Sequence, residues 1–259
     1  FAVTLAALFV LLLAAYALPG EPVRDHVYDS AVKIAGEGLY PEYLNFKLFQ
    51  MDNYTDTIML TEAASADEAP PLTAMMTNTA YNVDNFETLA DDLQWYIERN
   101  WATGAQRTDA PALVPFSYAR YWHGYLLFLK PLLLFFSLSD IRMMNAALQL
   151  ILAAGVLLLA FRKRWLRLAL PMGLALLVIN PVSTALSMQF SSIYYLTLLG
   201  LLIMLLTESW DRSWGYLVFL FLGIGTAFFD FLTYPACAVG TCLALQALMS
   251  RADGKTRLL

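Results

Sequence analysis

Two aspartates four residues apart, Asp52 and Asp56, bracket the densest polar motif of the chain, Asp-Asn-Tyr-Thr-Asp. Positions four apart share one face of a helix, so both carboxylates could serve a single site. A carboxylate placed in this way can take the proton of an attacking hydroxyl, which is general-base catalysis. The competing interpretation is a helix cap or a solvated turn in an acidic loop.

A third candidate carboxylate, Asp25, follows the first apolar segment and is preceded by Arg24. At that position it would lie within reach of lipid headgroups. The alternative is the charged first turn of a surface helix, where acidic residues stabilise the helix dipole. The residues alone leave the catalytic role open among Asp25, Asp52 and Asp56.

A run of aromatic and cationic side chains could bind an anionic sugar donor. Arginine binds phosphate with two parallel hydrogen bonds, and aromatic rings stack on sugar faces. The alternative is an aromatic membrane belt with snorkelling or helix-anchoring cations. The candidates are Arg120, Tyr121, Trp122, His123, Lys130 and Arg142.

Asp230 ends a later apolar segment, where an ionisable side chain is costly unless it is paired or hydrated. It therefore either forms an ion pair with one of the cations or lines a cavity. Nucleotide-loop, nucleophile-elbow and zinc-protease motifs are absent from the sequence. No metal site is assigned, although the carboxylates leave a divalent cation open.

The composition indicates the class of protein that carries these residues. The chain is 59% hydrophobic and 14% charged over 259 residues, with two cysteines. Soluble domains are less apolar and more charged, and disulfide scaffolds contain more cysteine. The sequence therefore predicts an all-α, polytopic helical membrane protein and gives no indication of nucleic-acid binding.

Apolar segments divide the chain into three regions. Residues 1–18 predict a first transmembrane helix, with a secretory signal peptide as the alternative. Residues 19–140 predict a large loop with amphipathic and juxtamembrane helices, and 141–259 carry the other five spans. These spans are expected at 141–161, 167–186, 191–207, 214–231 and 234–249.

Charge orients these spans. Sixteen acidic and five basic residues between Pro19 and Tyr118 give the loop a net charge of -11, while the remainder carries +6. The basic cluster Arg162–Arg167 marks a cytoplasmic turn, which places the loop outside. Tyr121–Leu138 is long enough to span. We expect a surface helix there instead, because a span would put the loop and the basic cluster on one side.

The loop itself predicts further elements. Asp25–Glu37 has helical apolar spacing with Gly38 as a C-cap, and Asp84–Trp101 predicts a second amphipathic helix. The intervening region Ala63–Ala80, which contains two consecutive prolines, is expected to be an irregular loop.

This layout resembles the GT-C superfamily of membrane glycosyltransferases, which use polyprenyl-phosphate sugar donors. Several local stretches carry the resemblance. The first is an acidic residue followed by a tyrosine and a Gly-x-Tyr-Pro motif, and the second is an aromatic juxtamembrane segment. The others are a second span that opens with an arginine and closes on a basic cluster, and a polar break near a later span. These stretches are 25–41, 121–138, 140–147, 162–164 and 229–235.

The resemblance implies a GT-C-like core and an inverting transfer of a sugar to a glycan or other hydroxyl acceptor. It implies an integral protein of the bacterial plasma membrane, in contact with membrane lipid, with the acidic loop outside. The family's Asp-Glu pair is absent at Asp25, because His26 follows it, and we therefore favour Asp56 as the base. Members are usually longer, so the chain is expected to be an N-terminal part of such an enzyme or a small variant.

The implied roles of the cations follow from the donor. Arg120, His123, Lys130 and Arg142 would neutralise its phosphate, with Lys130 and Arg142 expected on the outer face. Two other classes remain as alternatives. One is a lipid or sugar transporter or flippase with polar breaks at Asn180 and Asp230, and the other is a non-catalytic membrane subunit whose acidic loop binds a partner.

Overall fold

The computed structural model describes residues 2–66, 69–82, 89, 114–162, 166–209, 212–230 and 233–252. This part of the chain is mostly helical, as the sequence predicts. It divides into two compact units, Phe1–Arg142 and Met143–Leu259. The predicted helix over Asp84–Trp101 falls outside the described residues except for Leu89.

The first unit combines short helices with one pair of strands. In chain order its elements are α1 (Ala2–Tyr16), α2 (Glu21–Glu37), α3 (Asn53–Ser65), α4 (Pro71–Thr77), β1 (Thr79–Asn82), β2 (Val114–Ser117), α5 (Leu126–Leu133) and the start of α6 (Leu138–Arg162). Two short 3-10 turns, Tyr43–Asn45 and Lys47–Phe49, lie between α2 and α3.

Helix α2 confirms the amphipathic prediction for this part of the loop. Val23, Val27, Ala31 and Ile34 recur at helical spacing and are all buried. The helix ends at Gly38, whose φ of 82° is a backbone conformation that glycine adopts without strain. The buried face packs against α3 and α5.

Helix α3 lies at the centre of the first unit. Every residue from Asp56 to Ser65 is buried, and the helix packs against α2, β1 and α5. A helix enclosed on all sides is usually apolar all round. This one instead buries two carboxylates and several hydroxyls, so each of these polar groups needs a partner inside the protein.

The expectation of an irregular loop over Ala63–Ala80 is wrong. Helix α3 continues to Ser65, and a new helix starts at Pro71, where the missing N–H of proline is no loss. Strand β1 then pairs antiparallel with β2, with Thr79 opposite Ser117. These strands are far apart in sequence, and such pairing leaves no local signal.

The structure of the segment Tyr121–Leu138 also differs from the predicted surface helix. Between Tyr121 and Leu138 the helix covers only Leu126–Leu133. The buried side chains Leu126, Leu129, Lys130 and Leu133 form its inner face. The segment is thus a short packed helix preceded by turns.

The second unit contains the rest of α6 and the later helices. These are α7 (Leu166–Val178), α8 (Pro181–Leu186), α9 (Met188–Thr207), α10 (Tyr216–Phe229) and α11 (Ala236–Ala252). Helix α9 packs against α8, α10 and α11 and supplies much of the buried core.

The segment expected as a span over 167–186 is broken into α7 and α8 at Asn180, which has a left-handed φ of 64°. The Asn180 side chain accepts a hydrogen bond from the Ser183 N–H at 3.3 Å and so caps α8. Gln149 Nε2 donates to the Thr184 carbonyl at 3.0 Å, and the Thr184 hydroxyl donates back to Gln149 Oε1 at 3.1 Å. The break is therefore held by internal polar contacts.

Two helices in the described ranges are long and apolar enough to cross a membrane, α6 and α9. A third candidate is the pair α1 and α2, which is bent by 81°. Shorter apolar helices cover Ala169–Val178, Tyr216–Phe229 and Ala236–Ser250. The chain thus has the character of a helical membrane protein.

Candidate functional site

The first group of polar side chains, the Arg142 cluster, joins α2, α3 and α6 within the first unit. It consists of Glu37, Asn53, Asp56 and Arg142. Arg142 Nη1 donates to Glu37 Oε2 at 2.7 Å, and Nη2 donates to Asn53 Oδ1 at 2.7 Å and to Asp56 Oδ2 at 3.5 Å. One guanidinium therefore holds two carboxylates and an amide.

Asn53 and Lys33 complete the surroundings of Glu37. Asn53 Nδ2 donates to Glu37 Oε2 at 3.2 Å and to the Gly38 carbonyl at 2.8 Å, and Lys33 Nζ lies 3.4 Å from Glu37 Oε1. Partial burial raises the pKa of Glu37. The charge and hydrogen bonds of Arg142, with smaller contributions from Asn53 and Lys33, outweigh that effect and lower the pKa overall.

Burial makes this cluster chemically unusual. Asp56 is 0% exposed and Arg142 is 5% exposed. The Nε of Arg142 is also buried, and it has no hydrogen-bond partner among the described residues. The guanidinium thus retains an N–H group that could donate a hydrogen bond to an anionic oxygen.

The second group, the Glu62 cluster, lies on another side of α3. It consists of Tyr16, Glu62, Asn78, His123 and Tyr125. The Tyr16 hydroxyl donates to Glu62 Oε1 at 2.9 Å and also contacts Asn78 Oδ1, while the Tyr125 hydroxyl donates to Glu62 Oε2. Glu62 is thereby bonded to groups from α1 and from the segment before α5, and Asn78 at the end of α4 contacts the same Tyr16 hydroxyl.

The hydrogen-bond partners show that both nitrogens of His123 are engaged inside the protein. His123 Nε2 is 2.7 Å from the Tyr118 carbonyl oxygen, which only accepts, so Nε2 carries a hydrogen. His123 Nδ1 is 2.7 Å from Glu62 Oε2, and two such atoms approach this closely with a hydrogen between them. Whichever atom holds that hydrogen, the pair carries no net charge.

Aromatic rings enclose His123, which has a left-handed φ of 52°. The ring centroids of Tyr118 and Tyr125 lie 5.4 and 5.6 Å from that of the imidazole, and the Tyr121 ring lies at 6.2 Å. Burial, followed by the charge of Glu62, raises the pKa of the Tyr125 phenol well above its usual value. The tyrosine hydroxyl therefore stays protonated and acts as a donor.

Lys130 is fully buried and donates to the Tyr16 carbonyl at 3.1 Å. That carbonyl belongs to the last turn of α1, where backbone oxygens lack helical partners. A cation at this position also stabilises the negative end of the helix dipole. Lys130 is thus enclosed in the first unit, and its expected place on the outer side of the membrane stays a prediction.

The remaining predicted residues are spread over different environments. Asp52 is the N-cap of α3 and accepts from the Thr55 N–H at 2.9 Å. Asp25 lies on the exposed face of α2, opposite its buried apolar residues. Arg120 and Trp122 are exposed near the Glu62 cluster, with Tyr121 half-buried between them. Their predicted roles are not tested by these positions.

Asp230 belongs to the second unit, where it is 3% exposed and directly follows α10. Two hydroxyls of residues close to Asp230 in the sequence, Thr226 Oγ1 and Thr233 Oγ1, are buried without hydrogen-bond partners among the described residues. The predicted role of Asp230 likewise stays a prediction.

Several residues of these clusters escape sequence reasoning. Glu37, Asn53, Glu62, Tyr16 and Asn78 are not among the predicted site residues. A weak signal exists on α3, where polar residues recur at three- and four-residue spacing from Asn53 to Ser65. Within the described ranges, no three His, Cys, Asp or Glu side chains come together in a way suited to a metal ion.

The fold and these clusters define a helical protein with two candidate membrane spans and a buried charged core in its first unit. No protein-family model matches the sequence, and neither a curated protein nor a solved structure is detectably similar to it. The resemblance to GT-C glycosyltransferases consequently stays a prediction.

Proposed function

We propose that the chain is a membrane glycosyltransferase, or part of one, that moves a sugar from a polyprenyl-phosphate donor to an acceptor hydroxyl on the extracytoplasmic face. Asp56 serves as general base, and Arg142 binds the donor phosphate. The observation that carries the proposal is the fully buried Asp56 carboxylate in contact with a buried guanidinium that retains an unpartnered Nε among the described residues.

The energetic argument is that burying charges is expensive. Each ion removed from water costs several kcal/mol even after relaxation, and apolar side chains of similar volume often give equal or greater stability. Groups of this kind are concentrated at functional sites. Helix α3 carries both Asp56 and Glu62 at positions that a purely structural core would fill with apolar residues.

The proposed step balances as an inverting substitution. Asp56 takes the proton of the acceptor hydroxyl while that oxygen forms a bond to the anomeric carbon of the sugar. The bond between this carbon and the phosphate oxygen breaks on the opposite face, and polyprenyl phosphate leaves with the electron pair. Negative charge grows on the phosphate, where the Arg142 guanidinium stabilises it. We assign no metal ion to this step.

Substrate entry has a structural requirement, because the Asp56 carboxylate is enclosed. The contact from Arg142 Nη2 to Asp56 Oδ2 is 3.5 Å, which is longer than the two 2.7 Å contacts of the same guanidinium. This contact is therefore the weakest of the three and the first to break. Arg142 can stay anchored on Glu37 and Asn53 while its contact with Asp56 gives way to an acceptor hydroxyl.

The other predicted donor contacts have a secondary place in this proposal. Arg120 and Trp122 are exposed, so an approaching phosphate and sugar can reach them, and Tyr121 is half-buried between them. His123 and Lys130 are buried and bonded to Glu62 and to the Tyr16 carbonyl. We expect these two to position the site without touching the donor.

The test is turnover of lipid-linked sugars in proteoliposomes that contain the full chain. A panel of short-chain polyprenyl-phosphate sugars is supplied with mixed glycan acceptors, and release of polyprenyl phosphate is measured. Asp56→Asn should lower turnover by about 10²–10⁴-fold, which is the usual contribution of a general base. The matched control is Asp29→Asn, which changes an exposed carboxylate on α2 and should leave turnover unchanged.

The outcomes separate the alternatives. Full turnover by Asp56→Asn would remove Asp56 as the base, and the same assay with Asp25→Asn would then show whether that exposed carboxylate replaces it. Absence of turnover by the unmodified chain with every donor would contradict the enzymatic proposal. It would favour the non-catalytic subunit or the transporter.

The transporter alternative has one observation in its favour. The chain between α7 and α8 breaks at Asn180, and discontinuous helices of this kind line substrate pathways in transporters. Movement of a fluorescent polyprenyl-phosphate lipid between vesicle leaflets tests it directly. Leaflet exchange without sugar transfer would favour this second function.

A further inference from the structure

The chain between α2 and α3 presents an unusual number of apolar side chains to the exterior. We call residues 39–50 the 39–50 loop. Leu44 is 74% exposed and Leu48 is 64% exposed. Exposed apolar surface of this density marks an interaction site when it is contiguous. The large exposed side chains are Leu39, Tyr40, Tyr43, Leu44, Phe46 and Leu48.

Hydrogen bonds close the 39–50 loop at its base. The Met51 N–H donates to the Pro41 carbonyl at 2.9 Å, and the Asn53 N–H donates to the Leu39 carbonyl at 3.1 Å. A β-bridge joins Glu42 to Gln50. The loop is thus a defined protrusion that projects its apolar side chains away from the core of the first unit.

The tip of the loop has a strained backbone. Leu44 and Asn45 have φ values of 57° and 55°, which place both in the left-handed region. This conformation is uncommon for leucine, and such strain concentrates at functional positions. Here it accompanies the most exposed side chain of the loop.

Charge and composition indicate what the loop contacts. The 39–50 loop contains one acidic and one basic residue, Glu42 and Lys47, within a region of net charge -11. It is therefore locally neutral and is not repelled by anionic headgroups. Tyrosine and phenylalanine beside a lysine are typical of the membrane–water boundary, where the ammonium group can extend to the headgroups.

The bend between α1 and α2 indicates where the 39–50 loop lies relative to the membrane surface. The two helices are bent by 81°, and α2 has 17 residues, so it is about 25 Å long. If α1 lies along the membrane normal, α2 runs close to the membrane plane and rises by about 4 Å over its length. The loop then starts near the level at which α1 leaves the bilayer.

We propose that the 39–50 loop is a membrane anchor that inserts Leu44, Phe46 and Leu48 among the acyl chains of the leaflet where α1 ends. The occupant of this apolar surface is the lipid bilayer of the membrane that α1 enters. Because the base of the loop is bonded to Asn53 at the start of α3, insertion also fixes the height of α3 relative to the headgroups.

The experiment uses the full chain in lipid nanodiscs. Cys237 and Cys242 are replaced by alanine, and Leu44→Cys is labelled with the polarity-sensitive dye NBD. If the double replacement fails to fold, Cys242 is kept, because it is buried. The matched control is Asp29→Cys, whose position is exposed on α2. Nanodiscs with and without a doxyl quencher on the acyl chains are compared.

We expect blue-shifted emission at position 44 and loss of that emission with the acyl-chain quencher, but little loss with aqueous iodide. The control should emit as in water and respond mainly to iodide. Two results would overturn the proposal. The first is a water-like response at position 44. The second is blue-shifted emission that the lipid quencher leaves unchanged, because a protein partner or a second copy would then cover the loop.

Discussion

His123 Nδ1 lies 2.7 Å from Glu62 Oε2, and the two side chains are 0% and 1% exposed. With Nε2 bonded to the Tyr118 carbonyl, the imidazole uses both nitrogens inside the protein. The pair joins α3 to the segment that precedes α5, across 61 positions of sequence. Its loss should therefore disturb the first unit as a whole.

Glu62→Gln should destabilise the protein by about 1–3 kcal/mol, because the amide cannot accept from all the buried groups that contact Glu62 and leaves a polar group unsatisfied. Denaturant unfolding of the full chain in detergent measures this loss, with the exposed Glu42→Gln as control. A double-mutant cycle with His123→Gln should give a coupling of about 0.5–3 kcal/mol. Additive single changes would contradict a direct pair.

Asp52 should behave as a helix cap. Asp52→Ala removes the acceptor of the Thr55 N–H and should cost about 1 kcal/mol of unfolding free energy. Asp52→Ser retains a capping oxygen and should recover most of that stability. It should also retain sugar transfer, although it lacks a carboxylate. Loss of transfer in Asp52→Ser, at normal stability, would instead assign chemistry to Asp52.

Arg142→Lys should impair transfer even though it keeps a positive charge. A lysine ammonium is a point charge on a flexible stem and cannot reproduce the planar contacts to Glu37, Asn53 and Asp56. If Arg142 stabilises the departing phosphate, the loss should be about 2–4 kcal/mol in the barrier. Turnover and KM measured on folded protein test this, and unchanged turnover would contradict the assignment.

The ionisation of Glu37 should make the free energy of unfolding depend on pH. Its pKa is lowered in the folded state, so it contributes stability above the unfolded-state pKa of about 4.3. That contribution is lost as the pH falls through the lower folded value. Because the side chain is 19% exposed, solvent screening limits the effect to about 1 kcal/mol or less.

Melting temperatures of the unmodified chain and Glu37→Gln, measured from neutral pH downward, isolate this contribution. The two curves should converge as Glu37 becomes protonated. Curves that remain parallel over the whole range would show that the ionisation of Glu37 does not stabilise the fold.

Gly200 should tolerate no side chain in the second unit. A Cβ there would lie 2.8 Å from Cys242 Sγ and 3.0 Å from Leu222 Cδ2. Gly200→Ala should therefore lower stability by about 1–3 kcal/mol through overpacking. Gly223→Ala is the control, since nothing lies within 4 Å of its Cβ position. Thermal unfolding in detergent compares them, and equal stability would show that the helices move apart at little cost.

Local patterns predict part of this structure well. The apolar spacing of Val27, Ala31 and Ile34, followed by Gly38, predicts α2 and its end because each signal depends on near neighbours. The motif from Asp52 to Asp56 lies at the start of α3, where Asp56 contacts Arg142. The sequence leaves two roles open for Asp52, and its contact with Thr55 supports the capping role.

The rest of the site depends on distant partners. Glu62 is bonded to Tyr16 and His123, at separations of 46 and 61 residues, so none of the three stands out in a local window. Lysine is rarely buried, and no local pattern shows that the last turn of α1 supplies a carbonyl for Lys130. Tertiary contacts of this kind have no periodic signature.

The enclosure of α3 has a consequence for how the protein is made. Its buried polar groups receive partners from Tyr16, Asn78, His123 and Arg142, which leave the ribosome over a long stretch of synthesis. Until Arg142 emerges, Asp56 and Asn53 lack one of their partners and must remain hydrated. Helix α3 can therefore settle only after the start of α6 is available, which makes closure of the first unit a late event in biogenesis.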